Sequence, residues 1–587
     1  MKRLLISLGL TAVLGSAAVW AAVELSATQS ASLPSLMPTG ALLYLEAKDF
    51  HGLLGDWNAS AEKRAWLSGD NYQAFSRSRL FSRLSQAQDE FSTTAGLPAD
   101  AGLLSAVAGK ESALGIFDIG NLEFVYVTRM DEAAVEATPL WQVRGKFDQR
   151  TVGTAQFYVH KDAASGRTAA FGALNGWLVV ATRDDLAAGV MQRLQGGKDR
   201  SLPDESWYAG LMSQARSGDK PDLRLALNLE KIVATPYFRS YWVQRNITEM
   251  KLYGAALSDL RRSGDSYREE RLLLRKPAAD TGATPAAPGS DVAQVTALTP
   301  ENATFSSAQA GPTPESVLAA LREDVLERRA EQAYSAWSAP PAPVAVDAGT
   351  ASMLETQIDQ APQAVAEPDQ WLALRKMLAG AAPTAMLQVF EDRRPVADGV
   401  FVGLDAACAL TATTSWDEAA VQDALMQSMG GRLTAGKLGE RWVERKSAGG
   451  TYAALDGRVG LYEAVRGKTL MVATNAATLE SMLAAGLARG KVGALSGAGT
   501  DAGVTYAAVY RHSAEEQKNF RLLFTRLDQV GHPGAGEDHV EAGTDPAFFT
   551  GNLGSLDRAF AAMTEERVEE RDLGARVTQT VTYRWTR

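Results

Sequence analysis

Trp177–Leu186 reads WLVVATRDDL, and far downstream Thr469–Leu479 reads TLMVATNAATL. In both, an apolar run ends in Val-Ala-Thr and a helical pattern follows at once. That pattern carries Leu186 and Met191 in the first case and Leu479 and Met482 in the second. A turn and a short strand precede each, Thr168–Leu174 and Val459–Ala464. Further upstream, Ala113–Asp118 (ALGIFD) resembles Met386–Asp392 (MLQVFED), and each leads to an identical Asp-Glu-Ala-Ala-Val, at Asp131–Val135 and Asp417–Val421. Leu36-Met37-Pro38 with the helix from Phe50 matches Leu298-Thr299-Pro300 with the helix Pro314–Arg328. Tyr253–Arg271 resembles Thr550–Arg571. The offset grows from 262 (Leu36 to Leu298) to 297 (Tyr253 to Thr550), and the pairs stay in order. Short matches arise by chance, but chance scrambles their order. The pattern therefore predicts two similar halves, each with its own core.

Within the first half, Ala41–Ala47 reads as a strand and Phe50–Trp57 starts a helix. Tyr72–Phe91 is helical by its apolar spacing. Ala113–Ile119 and Leu122–Met130 form a hairpin around Gly120-Asn121. Gln156–Lys161, Thr168–Leu174 and Trp177–Thr182 are strands, the last two joined by Asn175-Gly176, a favoured two-residue hairpin turn. Asp184 and Asp185 open a helix through Leu194, acids at its positive end. Asp222–Leu229 is another strand, and Tyr267–Arg275 ends a meander. The fold class expected is α+β: two similar halves, each a largely antiparallel sheet packed with helices. The expected layout is a targeting segment over 1–23, a spacer over 24–35, the first repeat over 36–276, a linker over 277–295 and the second repeat over 296–587. The linker and an insertion at 339–368 are rich in Pro and Ala, a composition that favours long loops.

The N-terminus supplies the most specific local signal. Lys2 and Arg3 precede an uncharged, mostly apolar run from Leu4 to Val23. Val19-Trp20-Ala21 has the spacing of a signal-peptidase site, yet the run is also about long enough to cross a bilayer at ~20 residues. A cleaved signal peptide and an uncleaved anchor both remain open. Either predicts an extracytoplasmic protein, periplasmic, secreted or tethered to the inner membrane. No cysteine follows the run, which points away from a lipid anchor. The one cysteine, Cys408, closes no intramolecular disulfide and sits in the apolar run Phe401–Leu410 as a small buried hydrophobe. The net charge of -10 disfavours nucleic acid, and no basic stripe with interleaved aromatics offsets it.

The motifs that could carry chemistry fall short one by one. Gly431–Lys437 resembles a phosphate-binding loop, but Leu438 stands where the motif needs a magnesium-binding hydroxyl. The run also follows a predicted helix, Glu418–Met429, so it reads as a helix end and turn. His532, Asp538, His539 and Glu541 share a glycine-rich loop with no element to preorganise a metal site. Glu565-Glu566 and Glu569-Glu570 interleave with Arg567 and Arg571 and read as salt-bridged surface, with Glu269-Glu270-Arg271 as their equivalent. Tyr237, Phe238, Tyr241 and Trp242 cover adjoining helix faces and read as packing, as do Phe520, Leu523, Phe524 and Leu527. No catalytic, cofactor-binding or metal-ligating residue is assigned, and no cofactor is implied.

Gly109–Arg129 and Asn175–Leu186, with the strand after Met37-Pro38, resemble a group of uncharacterised bacterial exported proteins that pair a membrane-targeting segment with a large α/β ectodomain. The resemblance implies export and the α+β class, and brings no catalytic residues. The function expected is a non-catalytic binding or scaffold protein of the bacterial cell envelope, whose partner is an envelope protein. The alternatives are a carrier of an apolar ligand or lipid in a groove between the halves, and an enzyme of unrecognised type.

Overall fold

A computed structural model describes residues 32–69, 72, 75–77, 79–216, 218, 220–235, 250–277, 290–327, 370–392, 404–433, 441–455, 460–491, 503–512 and 562–585. The chain divides into two compact units. The first comprises Met1–Ser60, Phe75–Arg261 and Leu272–Lys276; the second comprises Ala61–Ala74, Arg262–Arg271 and Pro277–Arg587. Several expected features lie wholly or mainly outside the described residues: the segment 1–23, the spacer 24–35, the insertion 339–368, the aromatic helix of Tyr237–Trp242, the run Phe520–Leu527 and the His532–Glu541 loop. Most of the 277–295 linker does too.

The first unit is an antiparallel sheet covered by helices on both faces. Its strands are β1 (Leu43–Ala47), β2 (Ser112–Asp118), β3 (Glu123–Arg129), β4 (Asp148–Val152), β5 (Ala155–Lys161), β6 (Thr168–Leu174), β7 (Trp177–Ala181), β8 (Leu223–Leu227) and β9 (Tyr253–Ser263). Hydrogen bonding orders them β4-β5-β6-β7-β3-β2-β1-β8-β9, every pair antiparallel. β10 (Ser266–Arg275), of which 266–271 fall in the second unit and 272–275 in the first, pairs with β9. On one face Val125, Val127 and Val179 pack against α1 (Leu33–Leu36), α2 (Asp184–Leu194) and α3 (Ser206–Gln214). On the other, Phe171, Leu178 and Val180 pack with Val107, Leu140 and Val135 of α4 (Glu132–Ala137). Burial on two sides explains why β7 is buried at all five positions and shows no polar alternation. The β6–β7 turn has positive φ at Asn175 (53°) and Gly176 (76°), the pair of left-handed residues that a tight hairpin of this twist requires.

The second unit is also built of antiparallel strands. Its strands are β11 (Phe305–Ala310), β12 (Pro383–Asp392), β13 (Leu404–Ala412), β14 (Trp442–Ser447), β15 (Gly450–Leu455), β16 (Leu461–Arg466), β17 (Thr469–Ala473), β18 (Tyr506–Arg511), β19 (Met563–Asp572) and β20 (Arg576–Trp585). They pair in the order β14-β15-β16-β17-β13-β12-β11-β18-β19-β20. Taken strand by strand, this is the order of the first unit. Leu387, Val389 and Met471 face α5 (Ser290–Thr296) and α6 (Ala476–Lys491). Cys408, Leu410 and Val472 face α7 (Pro314–Ala320), α8 (Leu372–Ala381) and α9 (Glu418–Leu433).

The shared pentapeptide has the same task in both units. Asp131 caps α4, accepting from the Ala134 amide at 2.8 Å, and Asp417 caps α9, accepting from Ala419 and Ala420 at 3.1 and 3.3 Å. A carboxylate here satisfies amides that the first helical turn leaves without partners. The threonine of each Val-Ala-Thr also repeats its bonds. Thr182 Oγ1 accepts from the Phe124 amide at 2.8 Å, and Thr474 Oγ1 accepts from the Ala406 amide at 3.0 Å.

Two expectations need correction. The phosphate-loop-like run begins inside a helix, because α9 continues through Leu433; 434–440 lie outside the described residues. Glu269-Glu270-Arg271 lies on β10, whereas Glu565–Arg571 lie on β19, the strand that corresponds in order to β9. Six strands were not foreseen: β4, β11, β14, β15, β18 and β20. The central strand β11 reads FSSAQA, with too little apolar mass to signal a core strand, yet Ser306, Ser307 and Ala308 are buried between β12 and β18.

Phe171 is 1% exposed and packs against Phe147 and Tyr158, with ring centroids at 5.0 and 5.3 Å. Phe171→Ala is expected to cost about 3–5 kcal/mol, read as a fall in the urea midpoint of the first unit's transition.

Candidate functional site

Two rows of facing residues show where the units differ. Starting from the repeated threonine bonds, the register aligns Gln149–Tyr158–Phe171–Val180–Tyr126–Leu114 of the first sheet with Glu444–Ala453–Glu463–Val472–Cys408–Gln388 of the second. Where the first unit stacks aromatics, the second buries polar groups. Glu463 takes the place of Phe171.

Glu463 is fully buried, at 0% exposure, between Leu461 and Val465 on the strand face beneath α9. Gln422 Nε2, on α9, donates to its Oε1 at 2.7 Å and lies 3.4 Å from Glu418 Oε1. Its Oε2 has no hydrogen-bond partner among the described residues. Burial pushes the carboxyl up to about 7 from its usual 4.5; the Gln422 bond pulls it down, Glu418 pushes it further up, and Arg466 opposes. A buried acid on an apolar face is costly as an ion, so this one takes up and releases its proton near neutrality. Further along the row, Gln388 Nε2 donates to Asp324 at 2.7 Å, and burial raises the thiol of Cys408 far above its usual range.

A second acidic group lies at the start of α6. Glu391 and Asp405 stand directly opposite on β12 and β13. Asn475 donates to Asp405 at 2.8 Å and Thr478 donates to Glu391 at 2.8 Å. Burial raises the Glu391 carboxyl; Thr478 offsets this in part, and the facing Asp405 adds to it. In the first unit the corresponding pair is Asp118 opposite Glu123. There Arg183 stands in the position of Asn475 and bridges Glu123 at 2.9 Å and Asp185 at 2.6 Å. The second unit has the acids without the cation.

The first unit has its own buried ionic row across β1, β8 and β9, where Glu46, Arg224 and Asp259 face one another in register. Arg224 clamps Asp259 with two bonds of 2.7 Å, the fork geometry that makes Arg–carboxylate pairs strong. Glu46 accepts from Tyr44 at 2.8 Å and pairs with Lys220 at 2.9 Å. Burial first, and Glu46 second, push the Tyr44 hydroxyl well above its usual range. The ions here compensate one another, which marks a structural network. An open cleft lined by Ser82, Asp89, Glu90, Thr93, Asp162 and Ser165 is likewise satisfied locally. In it, Glu90 pairs with Arg167 at 2.7 Å and Asp162 accepts from Ser165.

Among the residues singled out by sequence, Cys408 is buried on a strand, 1% exposed. Glu565 lies between Arg511 at 3.5 Å, Arg567 at 3.8 Å and Arg584 at 3.5 Å, a salt-bridged strand surface. Phe520–Leu527 fall outside the described residues. Glu463, Glu391 and Asp405 were missed. The signal for Glu463 was present in LYEAVR: Leu461, Glu463 and Val465 alternate onto one strand face, so a carboxylate stands in an apolar stripe. No cluster of metal-ligating side chains occurs among the described residues. Nor, among them, is any helix long and apolar enough to cross a membrane.

No family model matches the chain, and no curated protein matches it. Among solved structures, crystal form I of TP0453 is similar over 43% of this chain and 81% of that one, and crystal form III over 42% and 82%. Both are 11% identical with a TM-score of 0.23, a likeness that carries no argument.

Two substitutions probe these groups. Arg224→Met strands Asp259 in the interior and is expected to cost about 3–5 kcal/mol, measured by denaturant unfolding. Asn475→Arg restores the cation that the first unit uses. It is expected to lower the Glu391 carboxyl's titration midpoint in a carbon-13 NMR titration, with little net change in stability because the Asn475 bond to the Ala477 amide is lost.

Proposed function

We propose that this chain is a non-catalytic binding or scaffold protein of the bacterial cell envelope, built from two diverged copies of one unit. The observation that carries the reading is the common strand order of two sheets, each filled with packed side chains on both faces. Interiors of this kind leave the exterior, the loops and helix surfaces, for recognition. The copies have diverged most in buried polar positions: Phe171 against Glu463, Arg183 against Asn475, and the Glu46–Arg224 pair against Ala308 and Ala507. A catalytic centre shared by both copies would need matching groups, and these positions do not match. Trp57, Leu84 and Leu104 are exposed on the first unit at 48%, 43% and 44% and offer apolar anchors to a protein partner. The uncharged run Leu4–Val23 supports delivery across the inner membrane.

The full chain, tagged at its C-terminus and expressed in a Gram-negative host, tests this by fractionation followed by cross-linking and pull-down. The tag is expected in the periplasmic or inner-membrane fraction, accessible from the periplasmic side, with one envelope protein recovered stoichiometrically. Trp57→Ala is expected to weaken that recovery. A cytoplasmic location, or recovery of the chain alone, contradicts the proposal. A co-purifying lipid would favour the apolar-ligand carrier instead.

A further inference from the structure

Glu463 is held by one donor, and that donor belongs to a helix. The Gln422 amide on α9 serves both Glu463, at 2.7 Å, and Glu418, at 3.4 Å. The Trp442 indole, from β14, donates to the Gln422 carbonyl at 3.4 Å, so the same turn of α9 is tied to the sheet at two points. Around these polar contacts the helix is seated by Val421, Ala424, Leu425 and Met429, all buried.

Of the other ionisable groups about this carboxyl, Glu418 opposes its ionised form and Arg466 favours it, the smallest of the causes acting on it. Glu418 on α9 repels it. Arg466, three residues along β16, is exposed and bonds instead to the carbonyls of Val465 and Thr451. On the sheet, its register neighbours are Ala453 on β15 and Val472 on β17. Two strands away on the same row stand the exposed Glu444 and the buried Cys408 thiol.

We propose that Glu463 is a proton-operated latch that governs the seating of α9 on the second unit's sheet. With the carboxyl protonated, the site buries a neutral group and α9 packs down. With the carboxyl ionised, a buried charge is left with one amide donor, and lifting the α9 turn that carries Gln422 lets water solvate it. Below the usual carboxyl value of 4.5 the seated form has its full stability. Stability falls as the pH rises through the buried group's value near 7, because the seated form binds more protons than the lifted one over that interval. The first unit carries its own control. α4 starts with the same Asp-Glu-Ala-Ala-Val and packs over Phe171, which does not titrate.

Hydrogen exchange of the intact chain tests the latch, with each amide's rate divided by its intrinsic rate at that pH. Between pH 5.5 and 8.5 the protection of α9 is expected to fall by about ten-fold or more, while α4 changes little. Glu463→Gln, which keeps the shape and removes the proton, is expected to abolish the fall. The latch is overturned if α9 protection is independent of pH, if α4 falls by the same factor, or if Glu463→Gln leaves the fall in place.

Discussion

In both units the central strands are buried on both faces, and most of what distinguishes this chain follows from that constraint. A strand with two covered faces has no solvent side on which to place polar residues. Each position must be apolar, or must bring its own partner. In the first unit this yields β7, WLVVA, buried throughout, and an aromatic cluster around Phe171 on one face. In the second it yields Ala-rich strands such as β13, LDAACALTA, which holds the one cysteine.

The same constraint makes each buried polar group informative. The Glu46–Arg224–Asp259 row resolves its cost internally, with opposite charges in register and paired bonds. The Glu391–Asp405 pair resolves it with neutral donors, Thr478 and Asn475, where the first unit uses Arg183. Glu463 resolves it least, with one amide and one oxygen lacking a partner, and responds by holding its proton to near neutral pH. These are three answers to one energetic demand, and the last leaves a carboxyl that burial pushes up to about 7.

The sequence carried the strands whose chemistry is strong. The Asn175-Gly176 turn, the helix from Asp184 and the hairpin around Gly120-Asn121 were legible because turn residues and apolar runs fix them locally. β11 was not, because FSSAQA owes its central place to neighbours on either side that no local pattern reveals. The β4 and β14 edge strands were hidden by exposed charge, which on an edge discourages pairing with other chains. Of the candidate site, the acids themselves were in plain view, but their importance came from what they face. Glu391 and Asp405 become a pair only through the β12–β13 register, whereas Glu463 already stood in the apolar alternation of LYEAVR and gains from the register its counterpart, Phe171.

The chain's single cysteine gives the most direct test of a sheet covered on both faces. Cys408 lies on the face beneath α7, α8 and α9, at 1% exposure. Its reaction with a water-soluble disulfide reagent is predicted to be slower in the native protein than in denaturant by on the order of a thousand-fold or more, with one thiol released on unfolding. Stoichiometric labelling of the native protein at the rate of the unfolded chain would contradict the account.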